Sequence, residues 1–281
     1  MGFERHAAAL CVKMRRQGVP FGRVLTLGHQ NLDLTIEELN RVLRGLERPP
    51  ADRVPAFADD LFMALGANTV EALDASEYEG ARVVHDLNFA VPSSWHEKYD
   101  MIFDGGTLEH VFNFPVAIRS CMEMLKPGGR FVSVTVANNW CGHGFYQFSP
   151  ELFYRIFSSN NGFNVVEMYL AEVDGLTFAV TDPATLMSRA ELCNNTRTYL
   201  LVHARRNSVQ NVLADVPQQS DYAASWRAQP SEKSAAALPS FFKRLVPRKL
   251  RSLRQKLAVR NYLRSCSLRN RKFYERVDLT I

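Results

Sequence analysis

Residues Tyr99 to Val136, YDMIFDGGTLEHVFNFPVAIRSCMEMLKPGGRFVSVTV, hold a strand, an acidic loop, a helix, a glycine turn and a second strand in one βαβ-sized unit. The apolar run Tyr99 to Phe103 stops at Asp104, and Gly105-Gly106 lets the backbone turn before a helix that opens near Asn113. Pro115 sits in that helix's first turn, where a missing N–H costs little, and Val116, Ile118, Met122 and Leu125 recur at roughly helical spacing. Lys126-Pro127-Gly128-Gly129 ends the helix, and the β-branched cluster of Arg130 to Val136 reads as a strand covered on both faces. In an open parallel sheet, ligands lie beyond the carboxyl ends of the strands. Asp104, Gly105, Gly106, Thr107, Glu109 and His110 therefore fall at the expected crevice.

Working outward, a helix is expected over Arg5 to Gln17 and a first strand over Arg23 to Leu27, ending at Gly28. Thr35 opens a helix with Glu37 and Glu38 in its first turn, and a short helix follows over Phe57 to Leu65. Strands over Thr69 to Leu73 and Ala81 to His85 end at Asp74 and Asp86. Downstream, Ser149-Pro150 starts a further helix. Phe163 to Leu170 and Thr198 to Ala204 read as an antiparallel pair joined by a long excursion, which suits a substrate lid. The sheet domain spans 1–206, a low-order linker 207–240 and a basic tail 241–281.

The 281 residues, 46% of them hydrophobic, suffice for one α/β domain with extensions. Five scattered cysteines without a CxxC pair argue for reduced thiols in a cytoplasmic setting, against a disulfide framework or a zinc motif. No secretory signal or apolar run of membrane-spanning length is evident. The net charge of +5 is uneven: residues 241–281 carry 13 Lys and Arg against 2 Asp and Glu, so the remainder is acidic at −6. Val246, Leu250, Leu253 and Leu257 recur at helical spacing among the basic residues, as in a basic amphipathic helix. Such a helix suits the anionic inner face of a membrane, a protein partner, or the acidic body of the chain itself. Nucleic acid is disfavoured, because no RNA-binding signature accompanies the charge.

A strand ending in Gly28, strands ending in Asp74, Asp86 and Asp104, then a helix, KPGG and a further strand: this order resembles the class I S-adenosylmethionine-dependent methyltransferases over Arg23 to Arg206. Leu108-Glu109-His110-Val111 resembles the superfamily branch with an LEHV-type loop, including members associated with bacterial surface glycan and sugar biosynthesis. The resemblance implies a doubly wound, mostly parallel seven-stranded Rossmann-like sheet that binds S-adenosyl-L-methionine, here with a basic helical extension. By the same resemblance, Gly28 gives the backbone close approach to the methionine part of the cofactor, and Asp74 accepts from the two ribose hydroxyls. Asp86 takes the position that recognises the adenine amino group, with Leu87 as an apolar wall, and Asp104 and Gly105 lie under the sulfonium and amino-acid end.

One departure stands out. The family's first loop carries three alternating glycines, whereas Gly28-His29-Gln30-Asn31-Leu32 keeps only the first. Either Gln30 and Asn31 supply side-chain hydrogen bonds to the cofactor, or Gln30 partly fills the pocket and the fold is inactive. The missing G-x-G-x-x-G also argues against a dinucleotide-dependent oxidoreductase.

A hydroxyl acceptor needs a general base, for which His110 and His143 are the candidates, with Tyr146 and Gln147 orienting. His143 lies in the glycine-hinged aromatic loop Cys141 to Phe148. Asn138, Asn139 and Trp140 before it suit sugar contacts. No metal is expected, because Glu109 and His110, adjacent on a helix, would point about a quarter-turn apart. The expected function is methyl transfer to O or N of a small or glycan-linked acceptor. The alternative is a non-catalytic binding or assembly module of the same fold, tethered by its tail.

Overall fold

The computed structural model describes residues 2–77, 79–227 and 248–281. Its framework is a nine-stranded mixed sheet. Five strands, β2 (Gly22–Leu27), β4 (Ala67–Asp74), β5 (Val83–Val84), β6 (Tyr99–Asp104) and β7 (Leu125–Asn138), are parallel and lie in the order β5-β4-β2-β6-β7. Beyond β7 come β10 (Thr198–Arg206), β8 (Phe163–Glu172), β9 (Thr177–Val180) and β11 (Tyr274–Val277), each antiparallel to its neighbour. The short pair β1 (Phe3–Glu4) and β3 (Leu32–Asp33) stands apart as a two-stranded parallel ribbon.

Alternation along the strands builds two cores, because successive side chains leave opposite faces of a sheet. Leu25, Ile102, Phe131 and Leu200 go to one face with α4 (Phe114–Met124) and α5 (Pro150–Ile156). Val24, Met101, Phe103, Val132 and Leu201 go to the other with α1 (Arg5–Arg16), α2 (Ile36–Gly45) and α3 (Asp59–Ala64). Helices thus cover both faces, as expected of a doubly wound sheet. Thr35 caps α2 in a capping box: its hydroxyl accepts from the Glu38 N–H, and the Glu38 carboxylate accepts from the Thr35 N–H at 2.9 Å.

The seven-stranded, mostly parallel expectation is corrected to nine mixed strands. The excursion after β8 contributes β9, with α6 (Pro183–Leu186) beyond it, so part of the supposed lid is sheet. The tail contributes β11, so it is not purely helical. The helical part, Arg248–Ser265, follows α7 (Ser220–Arg227) and is labelled α8 here. Among its described side chains Leu257, Val259, Tyr262 and Leu263 are all about half exposed, and those of Leu250 and Leu253 in the expected apolar stripe lie outside the described residues. Val246 lies outside the described residues. After α8 the chain rejoins the body through buried Cys266, Leu268, Phe273 and Tyr274. The segment expected as linker docks up to α7, with Val212 buried, Leu213 N donating to Asn161 Oδ1 at 2.8 Å, and Ser220 bonded to Glu151 at 2.9 and 3.0 Å. Among the described residues, no helix is long and apolar enough to cross a membrane.

Candidate functional site

The strand order reverses direction of growth between β2 and β6: from β2 the chain adds β4 and β5 on one side, then returns to add β6 and β7 on the other. The carboxyl ends of these two strands, still in register at Leu27 and Asp104, run on into the turns at Gly28 and Gly105, where a doubly wound sheet seats its ligand. Gly28 adopts φ +72°, and its N–H donates to Leu73 O at 2.7 Å, which carries the chain across the end of β4. A Cβ on Gly28 would stand 3.1 Å from Thr107 Oγ1 and 3.9 Å from Asp74 Oδ2, so the turn lies directly against the β4 carboxylate. Asp74 is half-buried and suited to accept from a diol.

Gln30 decides how open the crevice is. Its side chain is 5% exposed, and its carboxamide nitrogen donates to Leu27 O and, at 3.4 Å, to Gly28 O. Its Oε1 is buried without a hydrogen-bond partner and faces Gly105: a Cβ there would come within 2.0 Å of it. Thr107 Oγ1 also donates to Leu27 O, at 2.6 Å. The Gln30 carboxamide therefore lies in the crevice between Gly28 and Gly105. The carboxamide thus occupies the space between the two turns, with one acceptor unsatisfied.

The remaining first-loop and strand-end residues are used locally. His29 stacks on Phe57 at 3.6 Å, with Nε2 2.8 Å from Asp59 Oδ2 and Nδ1 2.6 Å from Glu79 O. Asp86 is exposed and closes an Asx turn, its Oδ1 accepting from the backbone N–H and the side-chain amide of Asn88, both at 2.8 Å. Leu87 is 4% exposed and packs in the core with Val83 and Val91, which leaves little of it to form a wall. Asp104 is fully buried, accepting from Thr107 N at 2.9 Å, Leu108 N at 3.3 Å and Ser133 Oγ at 2.8 Å. Burial pushes its carboxyl above the ordinary range, opposed by those same donors. Its side chain shapes the loop, and it is Gly105 that meets the crevice.

Past Asp104 the chain forms not an α-helix but a single 3-10 turn, Leu108–His110. This turn drives Glu109 inward, where it is fully buried, with Oε2 accepting from Thr135 Oγ1 of β7 at 2.9 Å and Oε1 unpartnered. Burial, and then the charge of Asp104, pushes the Glu109 carboxyl up to about 8. The loop after β7 folds back over the turn, as Phe145 N and Tyr146 N both donate to Glu109 O, at 2.7 and 3.2 Å. His143 is thereby set with Nε2 3.8 Å from Glu109 Oε1, and its ring meets that of His110 edge-on at 5.0 Å. Both imidazoles are lowered below their ordinary value, first by burial, and His143 also by His110, so both are neutral at pH 7.

Tyr146, expected beside the histidines, donates its hydroxyl to Phe112 O at 2.6 Å and so braces the loop. Asn138 and Asn139 are tied to Asn194 at 2.8 and 2.9 Å, and Trp140 Nε1 donates to Thr198 O at 3.1 Å, so these groups anchor the base of the loop. Phe112 and Phe145 stay about 70% exposed and meet edge-to-face at 5.6 Å beside the turn. The structure thus gathers Gly28, Gln30, Asp74 and Gly105 at one crevice, and His110 and His143 at Glu109. Sequence reading placed Glu109 near the crevice but missed its buried role, for which the Gly-His-Gly of residues 142–144 was the available signal.

No protein-family model and no curated protein sequence matches the chain. Among solved structures, it is similar to a putative sarcosine dimethylglycine methyltransferase from Galdieria sulphuraria (13% identity, 72% of this chain and 85% of that one, TM-score 0.42). It is likewise similar to 1,6-didemethyltoxoflavin-N1-methyltransferase from Burkholderia thailandensis, solved with S-adenosylhomocysteine (17%, 72% and 80%, TM-score 0.38). A third is the branched-chain polyamine synthase of Thermus thermophilus, in complex with 5'-methylthioadenosine (17%, 76% and 61%, TM-score 0.37).

Proposed function

We propose that the protein is a methyltransferase that binds S-adenosylmethionine and methylates O or N of a small or glycan-linked acceptor. The supporting observation is the switch point between β2 and β6, where Gly28 lies against Asp74 and Gly105 against the unsatisfied Gln30 Oε1. For the nucleoside half Asp74 offers carboxylate oxygens to a ribose diol, while Asp86 and Leu87 are engaged locally. They fit the amino-acid half once Gln30 swings from Gly105, when its free Oε1 can accept from an ammonium. A buried acceptor left without a donor costs about 1–3 kcal/mol, so such a donor is favoured there.

The cofactor, when bound, supplies an electrophilic methyl on a sulfonium. The chain's contribution is mostly positioning, worth roughly 7–11 kcal/mol where attack geometry is held. His143 and His110, neutral at pH 7, can take the proton of a hydroxyl acceptor, a contribution of about 10²–10⁴-fold. The exposed Phe112–Phe145 pair offers faces on which an acceptor ring can pack.

The decisive experiment is calorimetry of the full chain with S-adenosylhomocysteine. Binding that weakens at least tenfold in Asp74→Ala supports the reading, and no binding at millimolar ligand in either the wild type or Gln30→Ala defeats it. The same Gln30 placement favours a second reading, a non-catalytic module sealed by Gln30 and attached to a membrane or partner through residues 241–281. That reading expects uptake by Gln30→Ala only.

A further inference from the structure

Beyond the methyl-transfer reading, Glu109, His110 and His143 together meet the requirements of a metal centre. Among the described residues, they form a group in which one ligand atom from each lies within 4.8 Å of the other two. Adjacency in sequence does not prevent this. The 3-10 turn sends Glu109 inward and leaves His110 exposed, and the loop after β7 delivers His143 from outside.

Two observations point to a missing partner. Glu109 Oε1 and His143 Nε2 are both buried and both lack a hydrogen bond, although they face each other across 3.8 Å. That separation is too long for a hydrogen bond and close to the roughly 3.3 Å that separates N and O ligands of one tetrahedral ion with bonds near 2.0–2.1 Å. The second Glu109 oxygen is held by the Thr135 hydroxyl at 2.9 Å, the kind of outer contact that orients a ligating carboxylate.

We infer that Glu109 Oε1, His110 and His143 Nε2 bind one divalent transition-metal ion. Two imidazoles and one carboxylate suit Zn²⁺, Co²⁺ or Ni²⁺ and not Mg²⁺ or Ca²⁺, which take all-oxygen sets. Three protein ligands leave a position of a tetrahedral ion open, and His110 at the exposed edge of the cluster puts the centre within reach of solvent. The centre thus takes an oxygen or nitrogen of a small ligand at its fourth position. The inference depends on these three side chains alone: an ion there takes up the imidazole lone pairs and replaces the general-base role of His110 and His143, and it does not depend on cofactor uptake beside Gln30.

The test is a titration of the chelator-stripped full chain with Zn²⁺ by calorimetry and with Co²⁺ by visible absorption. One ion per chain is expected, with the intense d–d bands of four- or five-coordinate Co²⁺. Glu109→Gln and His143→Gln should each weaken binding by about 100-fold or more, and Thr135→Val by about 10–100-fold. Cys141→Ser, which removes the exposed thiol next to this loop, should leave affinity unchanged. Circular dichroism of each variant separates loss of the site from loss of the fold, and the half-buried loop position of His143, outside the sheet, keeps that variant foldable. No 1:1 binding by the wild type, binding that survives both ligand variants, or binding that vanishes with Cys141→Ser would overturn the inference.

Discussion

Gly144 lies against the carbonyl oxygen of Glu109: a Cβ on the glycine would stand 2.7 Å from that oxygen, and its φ of +75° already excludes most side chains. The close approach is what lets the loop seat His143 over the buried acid. Gly144→Ala should therefore cost about 1–3 kcal/mol in urea unfolding and weaken Co²⁺ binding, with the sheet's far-ultraviolet signature unchanged. Wild-type Co²⁺ affinity in this variant would show that the loop does not set the cluster.

Gln30 and Gly105 give a second test. Gly105→Ala puts a methyl 2.0 Å from Gln30 Oε1 and 3.0 Å from Phe103 Cε1, so the variant should lose roughly 1–3 kcal/mol of stability. Most of that loss should return when Gln30→Ala is added, because the carboxamide is the main obstacle. A double-mutant cycle in which the two losses simply add would place Gln30 outside the crevice.

The opposite end of the sheet predicts an acid response. Burial would raise the Glu167 carboxyl, yet the bonds from His203, Lys13 and Tyr169 hold it at about 2. His203 is itself lowered by burial, so at pH 7 it is a neutral ring that donates from Nδ1 to Glu167 Oε1 at 3.2 Å, not an ion pair. A depressed carboxyl stabilises the fold above its ordinary value of 4.5, and that stability drains as the pH falls toward 2, a span worth about 3 kcal/mol. Lys13→Met should shift the acid-unfolding midpoint to higher pH, as followed by circular dichroism. An unchanged or lower midpoint would refute the assignment.

Removal of residues 266–281 should uncover the edge of β9 and the pocket left by Phe273 and Tyr274, both buried. Fast hydrogen exchange at Thr177 to Val180 and a lowered Tm are expected, with the amides of β2 and β6 still protected. Full protection of β9 in the shortened chain would show that β11 contributes nothing to it.

The parallel half of the sheet was legible because its strands are apolar runs that stop at punctuating residues, as Phe103 stops at Asp104 and Leu27 at Gly28. β9 and β11 were not: TFAV and YERV are four residues long, and β11 pairs with a strand about a hundred residues earlier. That Gly28, Asp74 and Gly105 lie at strand ends was legible from the sequence, and the roles given to them came from the resemblance. The fate of Gln30 was not legible, since only the approach of Gly105 decides where its carboxamide rests. Glu109 escaped for a related reason: a helical reading of LEHV sets it a quarter-turn from His110, and the tighter turn brings it under the loop that carries His143.

The edge pairing of Tyr274–Val277 with Thr177–Val180 also bears on biosynthesis. During translation β9 leaves the ribosome long before its partner, with one rim open to any extended chain that passes. The antiparallel border must wait in an unfinished state while the parallel half can already consolidate, so nascent chains stalled between these two segments are the ones most exposed to mispairing and in greatest need of chaperone cover.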